Sequence, residues 1–298
     1  MFIKSIKRMG FLALWRDHKV IVGLLFAFVV QPMIPVSAQP VAEFVHFQAE
    51  WRVTLKSDGQ GTDSRGAQWL VLLGGLGGQE GVATAQDQVT WPAEGSGAYR
   101  IDSTLTPRGA LAVLLRRLHW VRGASGEVRG GRPELLSASN QRGDSPATLM
   151  QIEHGRMQVT TAGQAASAAT APTTPTQPAP PGLTDPLTLS WGFLQRPLPT
   201  RAFTVPLLIN DKVQTAYITP QRTTLQWQGQ EVACTLLDAH SAQSSATLRI
   251  WLRQSDGLPL QVELGMGDRY GLDVVQTLSA VPSGLPAFKE TPGRPKFP

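Results

Sequence analysis

Residues 45–55 read Val-His-Phe-Gln-Ala-Glu-Trp-Arg-Val-Thr-Leu. Val45, Phe47, Ala49, Trp51, Val53 and Leu55 fall on one side, and His46, Gln48, Glu50, Arg52 and Thr54 on the other. Side chains of a β-strand alternate between faces with a period of two, so this run is a strand with one buried and one wet face. The same habit recurs at 68–73, 82–91, 98–104, 127–129, 134–140, 148–153 and 156–161. It returns at Phe203–Ile209, at Thr223–Trp227 and at Val232–Leu236. Leu248, Ile250 and Leu252 form one face of a further run, and Leu258, Leu260, Val262, Leu264 and Met266 continue the pattern. Gln228-Gly229-Gln230 and Asp256-Gly257 stand between neighbouring runs, where tight hairpin turns are expected. Many short strands joined by Gly-bearing turns predict a mainly β fold: a single antiparallel sheet, an open or closed barrel, with one or two short helices.

Two segments depart from that rhythm. Gly109–Trp120 (GALAVLLRRLHW) places Leu111, Leu114, Leu115 and Leu118 at helical spacing. Arg116 and Arg117 lie beside these apolar residues, so the segment suits packing against a sheet or contact with a membrane surface. Thr184–Gln195 predicts a second short helix, capped by Thr184 or Asp185 with Pro186 in its first turn and weakened by Gly192. Residues 162–182 (AGQAASAATAPTTPTQPAPPG) are of low complexity and offer little apolar surface to offset ordering entropy. They read as a flexible loop within one β-rich domain at 39–280, since neither flank carries a full set of strand partners. A boundary between two domains is the alternative. The proline-rich tail, 281–298, is expected to be disordered.

The amino terminus carries a different signal. Lys4, Lys7, Arg8, Arg16 and Lys19 precede an apolar run, Val20–Val30, and Val36-Ser37-Ala38 places small residues before Gln39. This is the form of a cleavable signal peptide over 1–38. The run has about half of the ~20 apolar residues that span a bilayer. Export to the periplasm is the expectation, and an uncleaved inner-membrane anchor is the alternative. The chain has 27 Lys+Arg and 22 Asp+Glu. The first 38 residues account for five of those cations and only one anion, Asp17, so the remainder is nearly neutral. That balance lacks the basic footprint of nucleic-acid binding. Cys234 is the one cysteine, which rules out an internal disulfide; its neighbours Val232 and Leu236 mark it as a small buried apolar residue.

An ordered set of motifs emerges from the pattern. Ala98–Leu114 (AYRIDSTLTPRGALAVL) is followed by Ser125–Asp144, by Asp185–Leu198 (DPLTLSWGFLQRPL) and by Leu248–Leu264 (LRIWLRQSDGLPLQVEL). In this order the chain resembles the bacterial exported family catalogued as domain of unknown function 3108. The matching residues are Tyr99, Gly109, Gly126 to Pro133, Asp185 to Ser190 and Trp251 to Pro259. The central helix departs from the family's tight Leu-Ser pair, and the preceding linker is unusually long. The resemblance implies export and a β-rich fold, and carries no activity, catalytic residue or cofactor.

The search for chemistry returns little. Gly74–Gly81 has neither dinucleotide-fingerprint nor phosphate-loop spacing, and there is no G-x-S-x-G elbow. The histidines beyond residue 38 are scattered, so no metal ligands are assigned. Asp238, His240 and Ser241 or Ser244 form the best catalytic candidate, read against a plain polar strand end. Arg249, Trp251 and Arg253 make a cation–aromatic–cation stripe suited to an anionic headgroup or glycan, or to a solvated outer face. No catalytic residue and no cofactor are assigned. The reading favours a non-enzymatic envelope protein binding an apolar or amphipathic ligand such as a lipid. Trp51, Leu111, Leu115, Arg249, Trp251 and Arg253 are its candidate contacts. An assembly or scaffolding protein acting through envelope protein partners comes second, and an exported hydrolase third.

Overall fold

The computed structural model describes residues 44–57, 81–93, 96–109, 112, 119–161, 176–209, 212–267 and 271–285. Fourteen strands form one sheet. In chain order they are β1 (Phe44–Ser57), β2 (Ala83–Pro92), β3 (Gly97–Pro107), β4 (Trp120–Arg129), β5 (Arg132–Arg142), β6 (Thr148–Glu153) and β7 (Arg156–Thr161). They continue with β8 (Thr176–Pro178), β9 (Phe203–Ile209), β10 (Lys212–Trp227), β11 (Gln230–Ser241), β12 (Ser244–Arg253), β13 (Pro259–Gly265) and β14 (Leu272–Leu278). Strands β1 to β8 follow one another as an antiparallel meander, and so do β9 to β14. The antiparallel pair β1–β14 joins the two meanders, with Trp51 opposite Leu278 and Ser57 opposite Leu272. The sheet is therefore barrel-like without closing: β8 and β9 are its two edges. Pro206 lies in β9, where a missing N–H is tolerated on an edge, and Thr184 forms a parallel bridge with Leu207 there.

The alternation at 45–55 is realised in β1: Phe47, Ala49, Trp51 and Val53 are buried, while His46, Gln48, Glu50 and Arg52 are exposed. Of the two expected tight turns, Gln228-Gly229 forms one, while Asp256-Gly257 lies in the longer 254–258 connection between β12 and β13. Gln228 and Gly229 both have positive φ, 52° and 76°, as a two-residue hairpin of the twisted type requires. Gly257 has φ 71°, and a Cβ there would stand 1.9 Å from the Phe193 carbonyl oxygen.

One described α-helix, α1 (Pro186–Trp191), sits against β4, β9 and β13. Asp185 supplies the cap, accepting from the backbone N–H of Leu187 at 3.3 Å and of Thr188 at 2.9 Å. Leu187 and Trp191 join a core shared with β1 to β7, and Leu189 joins a core built by β9 to β12. The short helix is thus wedged between the two halves of a curled sheet.

Several local expectations change. Trp120 opens β4 instead of ending a helix; Gly109 and Ala112 are helical, while Leu111 and Leu115 lie outside the described residues. Thr176–Pro178, at the end of the low-complexity stretch, pairs with β7. At the start of the expected disordered tail, Pro282 is buried and Leu285 packs on the core. Strand β14 and the first half of β10 were not anticipated. The signal segment, the run at 68–73 and residues 286–298 lie outside the described residues.

Candidate functional site

Strand registry builds the site. In β2 the inward positions are Ala83, Ala85, Asp87, Val89 and Trp91, so a carboxyl occupies an apolar face. Asp87 pairs across to Ser103 of β3, Ser103 to Arg122 of β4, and Arg122 to Asn140 of β5. A polar row therefore crosses four adjacent strands on the inner face. The next row runs Trp51, Ala85, Leu105, Trp120 and Arg142. It places two indoles and a second guanidinium beside the first row.

Side-chain contacts bind the rows together. The buried Asp87 accepts through Oδ2 from the indole N–H of Trp51 at 2.9 Å and of Trp191 at 3.1 Å. Its Oδ1 is buried without a hydrogen-bond partner. Burial pushes the Asp87 carboxyl above the ordinary carboxylate range, against the opposing pull of Ser103, Arg122 and the two indoles. Asp185 is raised for the same reason, opposed by Thr188, Arg122 and Leu187. Arg122 is pushed down by burial and by Arg142, with Asp87 and Asp185 holding its charge in place. Its guanidinium stacks over the Trp120 ring at 4.4 Å, and that of Arg142 lies 4.8 Å from the same ring. The Trp120 indole N–H donates to Asn140 Oδ1. Tyr99 and Thr188 hydroxyls, 3.1 Å apart, tie β3 to α1.

These groups border a cavity of about 450 Å³. Its polar wall comprises Asp87, Trp120, Arg122, Asn140 and Arg142; its opposite wall includes Leu208, Leu248, Val262, Leu264 and Val274. Strands at both ends of the sheet reach the one cavity, with Pro186, Leu187 and Ser190 of α1 between them. The volume falls within the ~300–1,000 Å³ range of small-molecule pockets, and an apolar lining with a few polar groups is their common chemistry.

Trp51 lines this cavity. Arg249 instead pairs with Glu263 at 2.9 Å and with Asp238 at 3.5 Å. Arg253 pairs with Asp256 at 2.6 Å, and Trp251 packs half-buried against the core. The three alternate with the inward Leu248, Ile250 and Leu252 and do not line the cavity. The Asp238–His240 pair is not assembled for catalysis: Asp238 faces Arg249, His240 stacks on Tyr217 at 5.9 Å, and Ser241 bonds to Gln243. Cys234 is fully buried, its thiol pushed up to about 11 by burial. Among the described residues, no three His, Cys, Asp or Glu side chains cluster to hold a metal, and no helix is long and apolar enough to cross a membrane.

Reading single strands missed Asp87, Trp120, Arg122, Asn140 and Arg142. The signal is a polar residue at an inward position recurring at one level of consecutive strands, visible only once registry is known.

No protein-family model matches the chain, and no curated protein matches it. The resemblance to domain of unknown function 3108 rests on motif order. Among solved structures the chain is similar to a β-barrel-like protein of domain of unknown function 1849 from Brucella abortus, at 9% identity and a TM-score of 0.40 over 80% of this chain and 97% of that one.

Proposed function

We propose that this chain is a non-enzymatic periplasmic binding protein that holds an apolar or amphipathic envelope ligand, such as a lipid, inside its curled sheet. The observation that carries the reading is the cavity of about 450 Å³ beside α1, with one aliphatic wall. Protein interiors are normally close-packed, so a space this large between well-buried elements favours an occupant over simple filling. The lack of an assembled nucleophile and base at Asp238–Ser241 weighs against the hydrolase alternative.

Export is part of the proposal. The basic head, the Val20–Val30 run and Val36-Ser37-Ala38 support cleavage before Gln39. Amino-terminal sequencing of the periplasmic fraction is expected to begin at Gln39; full-length chain in the membrane fraction would favour an anchor.

The binding test is titration of the purified protein with a fluorescent fatty acid. Saturable binding is expected, and Leu264→Trp, which fills the cavity from β13, is expected to abolish it while the far-ultraviolet spectrum is unchanged. Absence of saturable binding in the wild type sinks the reading and promotes a scaffold acting through protein partners.

A further inference from the structure

The polar wall narrows the class of ligand. The ionisable side chains among the described cavity-lining residues are Asp87, Asp185, Arg122, Arg142 and Lys212. Three are cationic. Cations thus outnumber carboxyls on the cavity wall by three to two, and burial pushes both carboxyls above their ordinary range. Arg122 and Arg142 both lie over the Trp120 ring, and the charge of Arg142 opposes that of Arg122. An anion beside them offsets that repulsion and accepts charge-assisted hydrogen bonds, which guanidinium groups make in forked pairs to carboxylate and phosphate.

A second observation comes from Asp87. It is 97% buried by its 3% exposure, and its Oδ1 has no partner. Oδ2 already accepts from two indoles, so a proton bound by this carboxyl belongs on Oδ1. From there it can donate to a ligand oxygen in the cavity that Asp87 lines. An unmet buried polar atom is costly, and an oxygen of an anionic headgroup answers it. The aliphatic wall of Leu208, Leu248, Leu264 and Val274 faces the same space.

The geometry points to a single-chain amphiphile with an anionic headgroup, carboxylate or phosphate, its head on Arg122, Arg142 and Trp120 and its chain along the β9, β12, β13 and β14 wall. This rests on the reading of the cavity as a ligand site.

Three probes of equal chain length test it by calorimetric titration of the purified protein: dodecanoate, dodecyl phosphate and dodecanol. At least one anion is expected to bind about tenfold or more tightly than the alcohol, the effect of one charge-assisted bond. Arg142→Gln, at the exposed end of β5, is expected to erase that preference and leave dodecanol affinity unchanged. Tighter dodecanoate binding assigns a fatty acid, and tighter dodecyl phosphate binding a phosphate-headed lipid; both support the inference. Equal affinity for all three probes overturns the headgroup assignment while the cavity reading stands. Failure of all three to bind overturns both. An anion preference that persists in Arg142→Gln and in a folded Trp120→Leu variant also overturns the assignment of the head to this wall.

Discussion

Two walls of the same sheet follow the same alternation to different ends. In the β9–β12 wall, Leu207, Ile218, Leu237, Ile250 and Leu252 are buried against each other and Leu189 of α1. In the β2–β5 wall, the equivalent inward positions include Asp87, Ser103, Arg122 and Asn140. Burying such groups costs stability unless each finds a partner. The second wall meets most of that cost with the bonds of Trp51 and Trp191 to Asp87, of Arg122 to Ser103 and of Trp120 to Asn140. One wall is thus held by apolar packing and the other by polar pairing, with α1 fixed between them.

The largest effect is expected where the walls meet the helix. Trp191 is fully buried, lies 5.2 Å from Phe47 and 5.9 Å from Trp51 between ring centroids, and donates to Asp87. Trp191→Ala removes packing and an anchoring donor together, so it is expected to cost about 3–5 kcal/mol. Equilibrium unfolding in urea measures this. A loss below about 1 kcal/mol would show that the helix is not the keystone between the walls.

Ile250→Ala probes the apolar wall alone. Ile250 is fully buried, and its truncation is expected to cost about 2–5 kcal/mol in the same unfolding assay. Relative affinities for anionic and neutral probes should hold, because Ile250 borders neither guanidinium. A changed anion preference would break the division of labour between the walls.

The two walls also differ in how far the sequence reveals them. The inward set of β1, the helix capped at Asp185 and the turns at Gly229 and Gly257 were legible because each has a local cause: alternation, a capping carboxyl, a residue that accepts positive φ. Strand β4 was nearly invisible, since Gly123, Ala124, Ser125 and Gly126 offer little contrast between faces. The first half of β10 buries only Ala216 and Ile218, with Lys212, Thr215 and Thr219 exposed, too short an apolar set to mark a strand. The polar row was beyond reach for a deeper reason. Asp87 and Arg122 are 35 positions apart and meet through pairings fixed by hairpin lengths and by a register shift at Ser125/Gly126 in β4. Local pattern gives the face of a residue; only registry gives its level along the sheet.

The pH dependence of stability probes the polar wall. The folded Asp87 carboxyl holds its proton more tightly than its ordinary value of 3.8 implies. A raised folded value means that the native state binds more protons than the unfolded state between the two values. That contribution is present at and below pH 4 and is lost as pH rises toward the folded value. Asp87→Asn keeps an acceptor for the indoles and cannot ionise. Its stability relative to wild type is therefore expected to improve as pH is raised from 4 to 7, in paired urea titrations. Asp185 contributes in the same direction in both proteins and cancels in the difference. A difference independent of pH would mean that Asp87 is ionised to the same extent folded and unfolded.

The smallest effect belongs to the outer face, where the sequence placed a binding stripe. Arg249 alternates with the inward Leu248 and Ile250, and its side chain remains 41% exposed between Glu263 and Asp238. Glu263 keeps a second cation in Lys56 at 3.3 Å, so loss of Arg249 does not strand a buried carboxylate. Ion pairs open to solvent contribute about 0–1 kcal/mol. Arg249→Gln is thus expected to lower stability by about 1 kcal/mol or less and to leave the affinities for dodecanoate, dodecyl phosphate and dodecanol unchanged. Arg142→Gln, a substitution of identical chemistry on the inner face, is expected to change the anion affinities about tenfold. Measuring the two variants side by side holds the chemistry constant and varies only the face of the sheet. A loss of anion binding in Arg249→Gln equal to that in Arg142→Gln would move the site to the outer face and restore the stripe of Arg249, Trp251 and Arg253 as its contacts.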